Sequence, residues 1–197
     1  MNNQEINTLK ILEEVGKDEV PSQRDIARNL NISLGLVNSF LKRLARKGYL
    51  KITTIPSNRV KYLLTPKGAV EKTRLTYAYI QYSYHFYKDT RIKLKRLFAE
   101  LSEQNVKQIV FYGATDLAEI AFLSLQETPI QMAAIIDDDK AGDTFLGFTV
   151  KSMEHLNGLS YGKILYAGEK PIDEFFKKIN DNHISPEKVV LINDNMG

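Results

Sequence analysis

The stretch 33–48, SLGLVNSFLKRLARKG, carries the residues best suited to contact a polyanion. At about 100° per residue, the apolar side chains share one helical face: Val37, Phe40, Leu41 and Leu44. The opposite side is small and basic, and consists of Gly35, Ser39, Lys42 and Arg46, with Asn38 and Arg43 beside them. Such a helix suits a DNA groove, because small residues allow close approach and basic ones reach phosphates or guanine edges. The alternative is a surface helix with a solvated face.

Local signals give this helix clear ends. Ser33 can serve as its N-cap, and Gly48 stands where a glycine ends a helix in a left-handed turn. A shorter helix precedes it, opened by Ser22 with Asp25 at the capping-box position. The turn Asn31-Ile32 joins the two helices, and a first helix covers about residues 4–15. This spacing predicts a helix-turn-helix.

Two β-rich runs follow, at residues 49–55 and 59–64. Pro56-Ser57-Asn58 between them is a turn cluster, so the two runs predict a hairpin. A hairpin directly after a helix-turn-helix makes a winged helix. Asn58 and Arg59 at its tip could enter the minor groove or hold a phosphate, and the alternative is a solvated tip.

This part of the chain resembles the MarR-type winged-helix transcription regulators of bacteria over about residues 5–70. The segments RLARKGYL, leading into the wing, and LLTPKG, at the end of its second strand, are particularly typical. The resemblance implies binding of double-stranded DNA by a homodimer, because these regulators dimerise through helices that flank the winged helix. Bacterial winged helices also occur as protein-interaction modules, but the basic outer face weighs against that alternative.

Thr65 and Pro66 open another helix, which we expect to continue to about residue 103. Its segment 76–87, TYAYIQYSYHFY, carries one stripe of Tyr77, Ile80, Tyr84 and Tyr87 and another of Tyr79, Tyr82 and Phe86. A helix that is apolar all round must be buried, here against a second subunit or between two domains. An aromatic ligand cage is the weaker alternative. Residues 88–104 are basic and amphipathic.

From Val106 onward, strand and helix patterns alternate. The predicted strands are 108–112, 132–136, 148–150, 163–167 and 188–192, with helices after the first and before the last. Such alternation predicts a parallel, Rossmann-like sheet. The expected fold is therefore an α+β winged helix-turn-helix (1–70), a long connecting or dimerisation helix (71–104) and a small α/β Rossmann-like domain (105–197).

The turn after the first of these strands is a degenerate phosphate-binding turn. Gly113 and Ala118 satisfy the first and third fingerprint positions, whereas Thr115 stands where a second glycine would let a phosphate approach. Asp137 lies 24 residues past Gly113, where a carboxylate can accept from a ribose hydroxyl. The candidate ligand-binding residues are Gly113, Ala114, Thr115, Asp116 and Asp137. The alternative is a Rossmann-like domain that binds no nucleotide.

Residues 108–157 resemble the small Rossmann-like domain that precedes the repeats of bacterial sugar acetyltransferases. The resemblance lies in FYGATDLAEIAFLSL, in IIDDD and in the step from Gly147 to Val150. It implies a nucleotide or nucleotide-sugar as effector, although Thr115 departs from the usual glycine. A winged helix followed by a Rossmann domain is also the layout of the redox-sensing Rex repressors, a similarity of architecture only.

Composition limits the alternatives. Residues 1–65 hold 11 Lys/Arg against 6 Asp/Glu, whereas residues 105–197 hold 8 against 14, which suits a nucleic-acid-binding part followed by an acidic part. The chain of 197 residues has no cysteine, so disulfides and thiolate chemistry are excluded. No membrane span or signal peptide is apparent, and we expect a cytoplasmic protein without membrane partners.

The sequence offers little support for catalysis or a bound metal. His85, His155 and His183 are isolated, and Asp137 to Asp139 are more typical of a solvated loop than of a cation site. We therefore expect a DNA-binding transcription regulator that is not an enzyme. One alternative is a sugar-nucleotide enzyme with an appended winged helix, and another is a regulator whose C-terminal half serves only dimer or protein contacts.

Overall fold

The computed structural model describes residues 1–17, 21–55 and 59–192. The chain divides into two compact units, Met1–His85 and Phe86–Gly197. We refer to them as the N-terminal and C-terminal units.

The N-terminal unit is a winged helix-turn-helix. Its elements are α1 (Asn3–Val15), α2 (Gln23–Asn29), α3 (Leu34–Arg46), β1 (Leu50–Ile55), β2 (Arg59–Leu64) and the start of α4 (Pro66–Glu103). The strands β1 and β2 form an antiparallel hairpin in which Leu50 pairs with Leu64 and Ile52 with Tyr62. The predicted helix-turn-helix and wing are thus confirmed.

Side-chain caps fix where the helices begin. Asn2 and Glu5 form a capping box at α1, and Ser22 and Asp25 form one at α2. Ser33 caps α3 by accepting from the backbone N–H of Leu36 at 3.2 Å. These bonds satisfy amides that a helix start leaves unpaired, so each helix begins where its cap stands.

A Schellman motif ends α3 at the glycine predicted for that role. Gly48 has φ of +75°, the Tyr49 N–H bonds to the Leu44 carbonyl at 3.0 Å, and the Gly48 N–H bonds to Ala45 at 2.9 Å. The apolar face of α3 packs into the core of this unit, and its buried members are Val37, Phe40, Leu41 and Leu44.

The helix α4 is 38 residues long and begins as predicted, with the Thr65 hydroxyl accepting from the Gly68 N–H at 3.0 Å. Its residues 79–86 are all exposed in the single chain. The sequence pattern predicts burial for the aromatic stripes in this segment. Within one chain that burial is not realised.

The C-terminal unit is a small Rossmann-like α/β domain. Its elements are β3 (Gln108–Tyr112), α5 (Asp116–Leu125), β4 (Gln131–Ile136), β5 (Thr144–Phe145), β6 (Phe148–Thr149), β7 (Lys163–Tyr166), α6 (Ile172–Asp181) and β8 (Val189–Val190), with short 3-10 turns at 138–140, 153–158 and 186–188. Four strands form a parallel sheet in the order β4-β3-β7-β8.

One predicted strand of the sheet belongs elsewhere. Phe148–Thr149 pairs antiparallel with Thr144–Phe145 in a separate two-stranded hairpin. Gly147, with φ of +80°, and Leu146, with φ of +52°, make the tight turn between them. The turn places β5 and β6 side by side as a hairpin. β6 is therefore not one of the four strands of the parallel sheet.

Both faces of the parallel sheet are covered. Ile109 and Phe111 of β3 face a core shared with α5 and with Leu94 and Phe98 of α4. Val110 and Tyr112 face the other core, which α6 closes. A strand buried on both faces explains the uninterrupted apolar run in the sequence. Among the described residues, no helix is long and apolar enough to cross a membrane.

Candidate nucleic-acid interface and ligand site

The outward side of α3 carries the small and basic residues that the sequence places there. Gly35, Ser39, Lys42 and Arg46 are all exposed. A Cβ added to Gly35 would meet no atom within 4 Å, so the start of this face is open to a close approach. The hydroxyl of Ser33 is already engaged as the helix cap. The structure therefore brings Lys42 and Arg46 together on one accessible face.

Arg43 and Asn38 lie less favourably for such a face. The Arg43 guanidinium lies 4.4 Å from the ring centre of Phe40 and reaches Gln4 Oε1 and Thr8 Oγ1 of α1, each at 3.4 Å. It is thus directed toward α1 and does not join Lys42 and Arg46. Asn38 is half-buried at the flank of α3.

The wing contributes basic residues that the sequence analysis did not single out. Asn58 lies outside the described residues, and only the backbone of Arg59 is described, at the start of β2. The hairpin register places Thr53 opposite Lys61, with Lys51 two residues before Thr53 on the same face. Period-two alternation along the two strands was the signal that could have found Lys51 and Lys61.

In the C-terminal unit, the glycine turn lies where two loops touch. Gly113 has φ of +107°, and a Cβ on it would lie 2.6 Å from the backbone N and Cα of Gly168. The two glycines follow β3 and β7, neighbouring strands whose chain connections leave on opposite sides. Such a switch point is where ligands of doubly wound sheets bind.

Side chains from the loop after β4 form hydrogen bonds with the backbone of this turn. Asp137 Oδ2 accepts from the Ala114 N–H at 3.0 Å, and its Oδ1 accepts from the Asp139 N–H at 3.1 Å. Lys140 Nζ donates to the Ala114 carbonyl. Asp137, predicted to accept from a ribose, is thus bonded to the turn itself.

Thr115 caps α5 rather than presenting a free hydroxyl. Its Oγ1 donates to the Ala167 carbonyl at 2.6 Å and accepts from the Ala118 N–H at 3.4 Å. The predicted role of this side chain, a hydrogen bond to a phosphate or sugar, would require it to give up the bond to Ala167. Asp116, the first residue of α5, is exposed.

A cavity of about 120 Å³ lies at this switch point. Of the predicted ligand residues, Gly113, Thr115 and Asp137 line it, together with three lysines and two tyrosines that the sequence analysis missed: Lys140, Lys170, Lys178, Tyr112 and Tyr166. Lys140 lies on the same loop as Asp137, whereas the other four come from distant parts of the sequence that the sheet order brings together. Ligand pockets usually measure about 300–1,000 Å³, so a whole nucleotide would not fit without rearrangement.

Ion pairs organise the mouth of this cavity. Lys170 Nζ lies 2.5 Å from Asp139 Oδ2, and Lys178 Nζ pairs with Asp138. Burial raises the pKa of Asp138, but the hydrogen bonds from Lys178 and the Met153 N–H outweigh it and hold that pKa below its ordinary value. The hydrogen bond to Asp138 likewise raises the pKa of Lys178. Both groups are therefore charged at neutral pH.

Across residues 1–17, 21–55 and 59–192, no cluster of three or more His, Asp or Glu could hold a metal ion. His155 Nδ1 lies 3.0 Å from Ser152 Oγ, a local contact within one turn. His85 is exposed on α4.

The N-terminal part of the chain is similar to known proteins. Residues 4–51 match the family model described as winged helix-turn-helix DNA-binding. No curated protein matches the chain.

Several solved structures of regulators are similar to part of it. The DNA complex of Staphylococcus aureus MepR is 23% identical, with 44% of this chain and 62% of that chain covered and a TM-score of 0.37. A second structure of MepR, a transcription regulator of the S. aureus multidrug efflux pump MepA, is 20% identical. The match covers 53% of this chain and 77% of that chain, with a TM-score of 0.39. The zinc-dependent MarR family regulator AdcR is 18% identical, with coverages of 50% and 73% and a TM-score of 0.34.

Proposed function

We propose that the chain is a DNA-binding transcription regulator of the MarR type, in which α3 enters the major groove. The observation that carries the proposal is the accessible face of α3, with small residues at its start and Lys42 and Arg46 toward its end. The match of residues 4–51 to a DNA-binding winged-helix model supports it. We assign Ser39 and Lys42, with Asn38 at the flank, to base edges.

The remaining contacts of this proposal are with the phosphate backbone. Arg46 is placed one turn after Lys42 and reaches the backbone, while the wing approaches beside the helix with Lys51, Lys61 and Arg59. Such contacts release counterions, so the affinity should fall steeply with salt. Arg43 serves mainly to hold α3 against α1 through its contacts with Gln4 and Thr8.

The proposal includes a homodimer formed through α4. Tyr77, Ile80 and Tyr84 form one exposed stripe that would leave a large apolar surface in water in a single chain. A second copy covers this stripe by packing its own α4 against it, an isologous contact that suits a two-fold axis. The opposite stripe, with Tyr82 and Phe86, is exposed to a similar degree and offers a matched control.

Light scattering of the full chain should give a molar mass twice the 22.5 kDa of one chain. Ile80→Glu with Tyr84→Glu should reduce the mass to that of a monomer, because two charges would be buried at the seam. Tyr82→Glu with Phe86→Glu should leave the dimer intact. DNA sites selected by the wild type should then be inverted repeats with half-site centres about 10 bp apart. A wild-type mass of one chain would exclude the dimer.

The proposal also assigns the sensing of a nucleotide or nucleotide-sugar to the C-terminal unit. Its support is the position of the glycine turn at the switch point of a Rossmann-like sheet. A phosphate at the Ala114 amide would have to displace the Asp137 carboxylate, which now accepts from it. Ligand binding would therefore rearrange the loop after β4, and we propose that this change alters DNA affinity.

Thermal unfolding with NAD, NADH, ATP and UDP- or GDP-sugars tests this role. A ligand at 100 times its Kd should stabilise the protein by about 2.7 kcal/mol, which raises the melting temperature measurably. Asp137→Ala should enlarge that shift, because a phosphate could then reach the Ala114 amide without displacing a carboxylate. Asp116→Ala, at an exposed position on the same turn, should change the shift less. If none of these ligands shifts the wild type, the C-terminal unit serves dimer or protein contacts instead. Turnover of a nucleotide-sugar would favour the enzyme alternative.

A further inference from the structure

Two leucines are exposed at the beginning of α3, where a helix entering the major groove meets the bases. Leu34 and Leu36 are each 39% exposed, although the core of this unit takes up the other large apolar residues of the helix. They stand at the first and third helical positions, on either side of Gly35. Single exposed leucines are common on protein surfaces. Two of them at a helix start are informative only if other residue types would stabilise that helix start better.

The two helices that precede α3 each carry an acidic residue at the third helical position. The third helical position is Glu5 in α1 and Asp25 in α2, and each carboxylate completes a capping box. The same position in α3 is Leu36, and the first turn of α3 contains no acidic residue. A leucine side chain cannot accept a hydrogen bond from the backbone N–H of the N-cap residue, so α3 lacks a hydrogen bond that α1 and α2 make. Helix stability therefore does not explain Leu36.

Avoidance of an acid near DNA phosphates explains only part of this choice. A glutamine would complete the capping box without a negative charge. A leucine pair adds apolar surface instead, at a point where Gly35 leaves open space for a close approach. The major-groove edges of the bases offer one apolar group, the C5-methyl of thymine.

We infer that Leu34 and Leu36 read thymine by contact with its C5-methyl group, which makes them specificity-determining residues of the DNA site. The inference rests on the proposed DNA function and goes beyond it, because it assigns a base preference to two apolar side chains. Arg46 and the wing supply affinity for any duplex, whereas these leucines add a preference for thymine to the base contacts assigned to Ser39 and Lys42.

The test uses deoxyuridine, which differs from thymidine only by lacking that methyl group. Preferred duplexes are first selected with the full-length wild type from a random pool. The Kd is then measured for the selected duplex and for versions with deoxyuridine at one thymine position at a time. The proteins are the wild type, Leu36→Gln, Leu34→Gln and the conservative Leu36→Met.

For the wild type, deoxyuridine should raise the Kd about fourfold at one or more positions, the value of one buried methyl group. Leu36→Gln or Leu34→Gln should bind thymine and deoxyuridine duplexes equally at the position its leucine reads, and Leu36→Met should keep the preference. Thermal unfolding of Leu36→Gln should be unchanged or shifted upward, because glutamine restores the capping box, so a folding defect cannot mimic the result.

Two results would overturn the inference while leaving DNA binding in place. Either the wild type binds every deoxyuridine duplex as tightly as the selected one, or the glutamine variants keep the full thymine preference. Failure of the wild type to bind any duplex of the pool would instead overturn the proposed DNA function, and this inference with it.

Discussion

Alanine at both Lys42 and Arg46 should weaken the binding of duplex DNA by about 30- to 20,000-fold, at roughly 1–3 kcal/mol for each residue. Both side chains are exposed on the same face of α3, so their removal takes away neighbouring contacts without disturbing the core. The measurement is a fluorescence-anisotropy titration of a labelled selected duplex at fixed salt. Repeating it at several salt concentrations should show the salt slope falling by about 2.

The control for this variant is Lys10→Ala with Lys177→Ala. Both lysines are exposed, on α1 and α6, and their removal changes the net charge by the same amount. This control should bind the duplex nearly as well as the wild type. Equal losses in both double variants would mean that total charge governs the binding, and unchanged binding of the Lys42 and Arg46 variant would remove α3 from the interface.

Gly68→Ala should unfold or severely destabilise the N-terminal unit, with a loss of about 3 kcal/mol or more in the free energy of unfolding. A Cβ at this position would lie 2.0 Å from the Tyr49 carbonyl oxygen and 2.9 Å from Leu64 Cδ1. The carbonyl is held in place, because it accepts from the Thr65 N–H and hydroxyl, each at 3.1 Å. Chemical denaturation of the full chain measures the loss.

Gly35→Ala provides the matched comparison, because it also replaces a glycine in the first turn of a helix. Its added methyl group meets no neighbour, so stability should be unchanged or raised by up to about 1 kcal/mol through helix propensity. A small effect of Gly68→Ala, similar to that of Gly35→Ala, would contradict the packing of α4 against the base of the wing.

The sequence was most informative where structure is decided locally. Ser22, Ser33 and Thr65 could be identified as caps because a helix N-cap depends on the few residues that follow it. Gly48 could be identified as the end of α3 for the same reason. The alternation of strands and helices in the second half predicted the parallel sheet, because parallel strands need helical crossovers.

Features that depend on distant residues were not accessible to this reasoning. Arg43 follows Lys42 in the sequence and was expected to flank the outward face of α3, yet its guanidinium reaches Gln4 and Thr8 of α1. Asp137 was expected to face a ribose, and the fold bonds it to Ala114 instead. Lys170 and Lys178 reach the cavity only because β7 and α6 return beside β3, which no local pattern records.

The hairpin at residues 144–149 shows a different limit. Its strands have two residues each, so the sequence pattern could not separate them from a short strand of the main sheet. The deciding feature is the pair of positive φ angles at Leu146 and Gly147. A leucine is rarely found in that conformation, so it gave no warning of the turn.

Binding of duplex DNA by α3 and its basic face underlies the whole proposed function. The most direct measurement is the Kd of the wild-type chain for a labelled selected duplex, taken at several salt concentrations between about 50 and 200 mM. We expect specific binding in which the logarithm of the association constant falls linearly with the logarithm of the salt concentration, with a slope of about −3.6 or steeper for a dimer that neutralises four or more phosphates. Absence of binding at the lowest salt, or a slope near zero, would contradict it.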